Sequence, residues 1–183
     1  MDLSTFWNLI ETARASAGPN RPFHQVLADQ LATRTEQEIL EYQERFEDAR
    51  QALYRWDVWA AAYLIGGGCS DDSFTDFRAG LIAQGRDWYQ KAAASPDSLA
   101  DHPGVFSTVG PPWDNALFYE QVNYAASYAF QRVSGGEHAF CDALRSRGQR
   151  DRSPADMGED FDFDDPQEMH RRLPRLAALR LGE

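Results

Sequence analysis

The densest run of chemistry-bearing residues is Gly66-Gly67-Gly68-Cys69-Ser70-Asp71-Asp72-Ser73-Phe74-Thr75-Asp76. Glycines ahead of a helix start can cradle an anion, because free backbone amides and the helix dipole both attract negative charge. Here Asp71 and Asp72 stand where that anion would sit, so phosphate binding is disfavoured. No Lys-Ser/Thr pair follows the glycines, so the segment is not a Walker loop. Cys69, just before a helix N-terminus, invites a thiolate, since the same field lowers a thiol pKa. The two aspartates oppose that and no histidine is near in sequence, so a buried structural cysteine is the favoured reading. The carboxylates Asp71, Asp72 and Asp76 form a candidate set for a hard divalent cation. Asp72 and Asp76 share a helix face at i, i+4, and their repulsion calls for a cation or an arginine such as Arg78 or Arg86. The plainer alternative is a pair of first-turn acids that complement the dipole and stay in solvent.

Trp56-Asp57-Val58-Trp59 is the second candidate. A pocket walled by Trp56, Trp59 and Trp88, with Asp57, Cys69 and Arg78 as its polar members, would lie between two very apolar helices. Aromatic core with Asp57 as a cap is the plainer account. The alternation Phe161-Asp162-Phe163-Asp164-Asp165 suggests either a recognition strip for a basic partner or a solvated loop ahead of a helix cap. Arg145, Arg147, Arg150 and Arg152 offer a contact for phosphate or an acidic partner, against a solvated helix end. The four histidines, His24, His102, His138 and His170, are scattered. HxxxH, HExxH, GxSxG and GxGxxG are absent, which removes the usual support for zinc protease, serine hydrolase and dinucleotide readings. No reaction type follows from these residues.

The elements that must position them are helices. Ser4 caps a first helix with Phe6, Trp7, Leu9, Ile10 and Ala13 inward, ending near Gly18-Pro19. Asn20 to Thr33 gives a second. Thr35-Glu36-Gln37-Glu38 is a capping box, followed by Ile39, Tyr42, Phe46, Ala49, Leu53 and Trp56 on one face of a long helix. Asp57 restarts or bends it into Val58–Ile65, apolar all round and therefore buried. Gly66-Gly67-Gly68 ends that helix, Ser70 or Asp71 caps the next, and Gly85 breaks it before Trp88. Asp101 to Pro112 is a loop, Asp114 caps a helix over 115–133, and 137–147 forms one more turn set. After a polar stretch, Asp165-Pro166 starts a terminal helix interrupted at Pro174. No strand alternation and no repeat of 20 to 50 residues occurs. The expected fold is all-α: a compact bundle of about six to eight helices over residues 1–147, with a polar linker and a loosely attached helical arm over 148–183.

The chain has 183 residues and a net charge of -11, with 43% hydrophobic residues, enough for a core and too many for general disorder. A pI of about 4.7 argues against nucleic acid, whose phosphates demand positive charge. The longest apolar run, Val58–Ile65, is about half of what a membrane span needs, and Met1-Asp2-Leu3-Ser4 does not open a signal peptide. Two cysteines without CxxC spacing make no disulfide framework. The expected setting is the cytoplasm. One lysine against 17 arginines suggests a GC-rich genome.

Phe6-Trp7-Asn8-Leu9-Ile10-Glu11, the run Trp56 to Ile65, Gly67-Gly68-Cys69-Ser70-Asp71-Asp72, Phe77-Arg78 and Leu81-Ile82-Ala83-Gln84-Gly85 together resemble the bacterial domain-of-unknown-function family 4240, common in high-GC actinobacteria. The likeness covers residues 1 to about 132. It implies a small cytoplasmic protein whose distinctive segment is 56–85, and supplies no activity, catalytic residue or cofactor to carry over. Two functions fit. The favoured one is an interaction or regulatory module, with a protein partner or with self-association through the arm's Leu173, Leu176 and Leu179. The other is a small-molecule or divalent-metal-binding enzyme with an acidic pocket around 56–85.

Overall fold

A computed structural model describes residues 1–106, 117–136, 139–148 and 156–182. Among these the chain is all-α, with a single isolated bridge between Gly18 and Arg21. The helices are α1 (Leu3–Ser16), α2 (Phe23–Leu31), α3 (Glu36–Ala52), α4 (Trp56–Gly66), α5 (Asp71–Ala83) and α6 (Arg86–Ala94). They continue with α7 (Pro103–Phe106), α8 (Ala125–Ser134), α9 (Ala139–Ser146), α10 (Pro166–Arg172) and α11 (Pro174–Leu181). Short 3-10 segments cover Pro96–Asp101 and Glu120–Tyr124. The pieces are shorter and more numerous than the six to eight expected, because glycines, prolines and caps cut the apolar pattern more often than periodicity alone suggests.

The chain divides into two compact units, Met1–Ala49 with Gln121–Pro154, and Arg50–Glu120 with Ala155–Glu183. In the first, α1 buries Phe6, Trp7, Leu9, Ile10 and Ala13, as its spacing predicts. Its cap is Asp2, whose carboxylate accepts from the Thr5 amide at 2.7 Å, two residues before the expected Ser4. The capping box is present: Glu38 accepts from the Thr35 amide at 3.0 Å and Thr35 Oγ1 from the Glu38 amide at 3.3 Å. The helix expected over 115–133 is present in its second half as α8, preceded by the 3-10 segment Glu120–Tyr124. The first two residues of the expected span lie outside the described segments, 117–119 are not helical, and α8 begins at Ala125. The Tyr119 amide donates to the Asp76 carbonyl at 3.1 Å, which removes that stretch from a helical ladder.

In the second unit, the long helix expected to reach Trp56 stops at Ala52 and α4 restarts at Trp56. Arg55 and Asp57 form a two-pronged ion pair at 2.9 and 2.6 Å, and Asp57 also accepts from the Val58 amide at 2.8 Å. The break therefore comes with its own polar satisfaction. Within α4, Val58, Ala60, Ala61, Ala62, Leu64 and Ile65 are buried as expected, whereas Trp59 and Tyr63 are half-buried; the helix ends at Gly67, whose φ of 67° suits a residue without Cβ. Ser70 caps α5, accepting from the Ser73 amide at 3.2 Å.

The expectation of a loosely attached arm is corrected. Met169, Leu173, Leu176 and Ala177 are buried in the same core as Val58, Ile65, Phe77 and Leu99. The N-terminus of α11 has no side-chain cap of its own. Asp97 supplies one from a distant turn, accepting from the Arg175 and Leu176 amides at 3.0 and 2.9 Å. Arg175 pairs with Asp101, and Arg180 donates to the Val105 carbonyl at 2.8 Å. Leu179 and Leu181 remain exposed.

Candidate functional site

Trp56, Trp59 and Tyr63 recur at i, i+3 and i+7, so α4 presents them along one side. The indoles of Trp56 and Trp59 stack, with centroids 5.5 Å apart and planes 10° from parallel. Trp59 stacks in turn on Phe74 at 4.7 Å, and Phe74 on Tyr54 at 5.9 Å. Arg78, buried at 7% exposure, lies 4.7 Å from the centroids of both Tyr54 and Phe74. Its guanidinium donates to the Arg50 carbonyl at 3.2 Å, the Phe74 carbonyl at 3.3 Å and Thr75 Oγ1 at 3.1 Å. Trp59 Nε1 donates to the Cys69 carbonyl at 3.0 Å, which ties the glycine loop to the same row of rings.

The open side of this row is covered from within the unit. Phe163 meets Trp56 edge-on at 6.1 Å, lies 6.4 Å from Trp59 and 5.6 Å from Tyr63, and touches Phe161 at 5.2 Å. The Trp56 amide donates to the Met157 carbonyl at 3.0 Å, and the Tyr63 hydroxyl to Asp164. That hydrogen bond to a carboxylate also raises the Tyr63 pKa. The Arg172 guanidinium sits 4.1 Å over Phe161 while holding Glu159 and Glu168. The 161–165 strip is therefore split by its alternation: the phenylalanines turn inward, Asp162 accepts from the Asp164 amide, and Asp165 caps α10.

Of the residues singled out in the sequence, Trp56 and Cys69 meet Trp59, and Trp59 is joined to Arg78 through Phe74. Asp57 turns away to Arg55. Trp88 instead meets His102 edge-on at 4.6 Å, with Lys91 at 4.5 Å over its ring. Asp71 and Asp72 are exposed in the first turn of α5 and Asp76 is half-buried. Among the described residues no three His, Cys, Asp or Glu side chains are grouped to hold a metal ion. Arg145 pairs with Asp142, and Arg147 with Glu44 and Gln37; Arg150 and Arg152 lie outside the described residues. The sequence reading missed Tyr54, Phe74, Phe161 and Phe163 as members of the site. The period-two alternation at 161–165 was the available signal, and it marks a segment laid against a surface.

Burial pushes the Cys69 thiol up to about 12; Trp59 opposes the shift and Asp76 adds to it. At pH 8 Cys69 therefore stays almost wholly a thiol. Cys141 is exposed and both cysteines are free. Iodoacetamide at pH 8 is expected to modify one thiol, and Cys141→Ser should leave the folded chain nearly inert. Rapid modification of the Cys141→Ser chain would contradict the burial of Cys69.

An all-α scaffold with an aromatic row on α4, sealed by its own later segment, is the class of protein that fold and site define. The family described as "Protein of unknown function (DUF4240)" matches residues 1–132, and the chain belongs to it. No curated protein and no solved structure matches the chain. No helix among the described residues is long and apolar enough to cross a membrane.

Proposed function

We propose that the chain is a protein-interaction module whose recognition surface is the aromatic side of α4, occupied in cis by residues 156–165. The observation that supports it is the seating of Phe163 against Trp56, Trp59 and Tyr63, with Phe161 edge-on behind Phe163. These phenylalanines lie beyond the family-matching residues 1–132, so the family portion supplies the surface and a later segment its occupant. Aromatic pairs contribute about 0.5–1.5 kcal/mol each beyond the area they bury. The acids between the phenylalanines add register, Asp164 through Tyr63. A partner segment of the same chemistry, aromatic residues alternating with carboxylates, would compete for the surface. Tethering makes the cis segment the stronger competitor, so the module is regulated by whatever frees it. Two free cysteines suit a reducing compartment, and we place the activity in the cytoplasm.

The test uses the full chain with Phe161→Ala and Phe163→Ala together, checked for native helicity, and a labelled peptide of residues 156–166. The double variant is expected to bind the peptide at least tenfold more tightly than the parent, with a change in tryptophan emission. A folded double variant that takes up no peptide would overturn the reading.

A further inference from the structure

We infer that Tyr63 selects the partner of the α4 surface by reading one carboxylate, placed directly after the inner of two aromatic residues. The partner is then a peptide that carries aromatic–any–aromatic–acid, in that order. This rests on the reading of α4 as a recognition surface and narrows it from a generally acidic segment to a single position. Residues 156–165 hold six carboxylates, and they do different work. Asp156 accepts from the Gly158 amide at 3.0 Å, Asp162 from the Asp164 amide at 2.9 Å and Asp165 from the Gln167 amide at 2.8 Å. Each of these bonds two residues ahead in its own chain, a local turn open to Asp and Asn alike. Glu159 pairs with Arg172 of α10 at 2.8 Å. Among the described residues, Asp164 is the one of the six whose carboxylate accepts a hydrogen bond from α4, and the donor is the Tyr63 hydroxyl.

The α4 side of the contact gives the physical reason. No lysine or arginine stands in α4, so the helix meets negative charge with a hydroxyl and not with a cation. Trp59 Nε1 is spent on the Cys69 carbonyl. The Tyr63 hydroxyl has one proton to donate, and an ionised acceptor holds it more strongly than a neutral one. Two contacts fix the register. In the first turn of α4 the Trp56 amide, which has no side-chain cap, donates to the Met157 carbonyl at 3.0 Å. About two turns further on, Phe163 lies 5.6 Å from the Tyr63 ring, and the next residue is the acid. The segment therefore runs N to C along α4. A carboxylate before the inner aromatic, as at Asp162, bonds its own chain instead.

The experiment uses the full chain with Phe161→Ala, Phe163→Ala and Asp164→Asn together, so that its own segment frees both the rings and the Tyr63 hydroxyl; native helicity is checked first. Three labelled peptides of residues 156–166 are titrated by fluorescence anisotropy: the natural sequence, one with Asp164→Asn and one with Asp162→Asn. The two altered peptides have the same composition and charge and differ only in which acid is lost. Asp164→Asn is expected to weaken binding about fivefold, and Asp162→Asn less than about twofold. Tyr63→Phe, added to the receiving chain, keeps the ring and removes the donor. The natural peptide should then bind no better than the Asp164→Asn peptide. Equal affinities of the two altered peptides for the Tyr63 chain would overturn the inference and leave the α4 surface standing. So would a difference between them that survives Tyr63→Phe. No uptake of the natural peptide would overturn both.

Discussion

Gly80→Ala is expected to lower the thermal midpoint of unfolding by roughly 5 to 10 °C, although alanine is the better helix former. In an open helix interior the exchange stabilises by about 1 kcal/mol. At position 80 of α5 an added Cβ would lie 2.1 Å from the Leu117 carbonyl oxygen and 2.5 Å from its carbon. Both are backbone atoms, and the Tyr119–Asp76 hydrogen bond two residues on ties that strand of chain to α5. Neither side can yield without losing the contact, and overpacking of this kind costs about 1–3 kcal/mol or more. With backbone atoms this close the cost is about 3 to 4 kcal/mol, so after the helix gain the net is about 2 to 3 kcal/mol against the fold, which at about 2–4 °C per kcal/mol gives the shift stated. Gly66→Ala is the internal comparison: its Cβ would meet the Phe118 ring tip at 3.0 Å, a side chain that can turn aside. Thermal unfolding followed by circular dichroism decides it. A Gly80→Ala chain as stable as the parent would mean that 117–119 does not pack on α5 as described.

Arg78→Ala should cost about 3 to 5 kcal/mol, and Arg78→Lys should recover less than half. The guanidinium fills the space over Tyr54 and Phe74 and donates to two carbonyls and a hydroxyl. Alanine opens a cavity beside two rings and leaves the Arg50 carbonyl without this donor, each a recognised route to a large loss. Lysine keeps the charge but not the planar fork that reaches three acceptors and stacks on two rings at once. Denaturant unfolding of the three chains, compared at equal m-value, measures it. Equal stability of the lysine variant would show that only charge matters at this position.

The fold class, the capping box, the glycine stop after α4, a cap at Ser70 or Asp71 and the Asp165-Pro166 start were legible because each rests on local chemistry. Periodicity correctly assigned the buried face of α1. It could not show that Asp57 turns to Arg55 and ends the long helix early, since nothing in a 3-4 pattern reports where a side chain finds its ion partner. The seating of 156–181 was hidden for a different reason. Phe161, Leu173 and Leu176 are ordinary apolar residues in a polar stretch, and only contacts about a hundred positions away in sequence reveal what they cover. The candidate pocket was half visible: Trp56, Trp59, Cys69 and Arg78 do converge, whereas Trp88 pairs with His102.

The cap that Asp97 places on α11 has a consequence for how the chain assembles. The two partners are 78 and 79 positions apart, so the helix N-terminus is satisfied only after a long loop has closed. An eight-residue helix is marginal by itself. Docking of α11 therefore belongs to the native side of the folding barrier, and the contact governs how fast the unit opens more than how fast it forms.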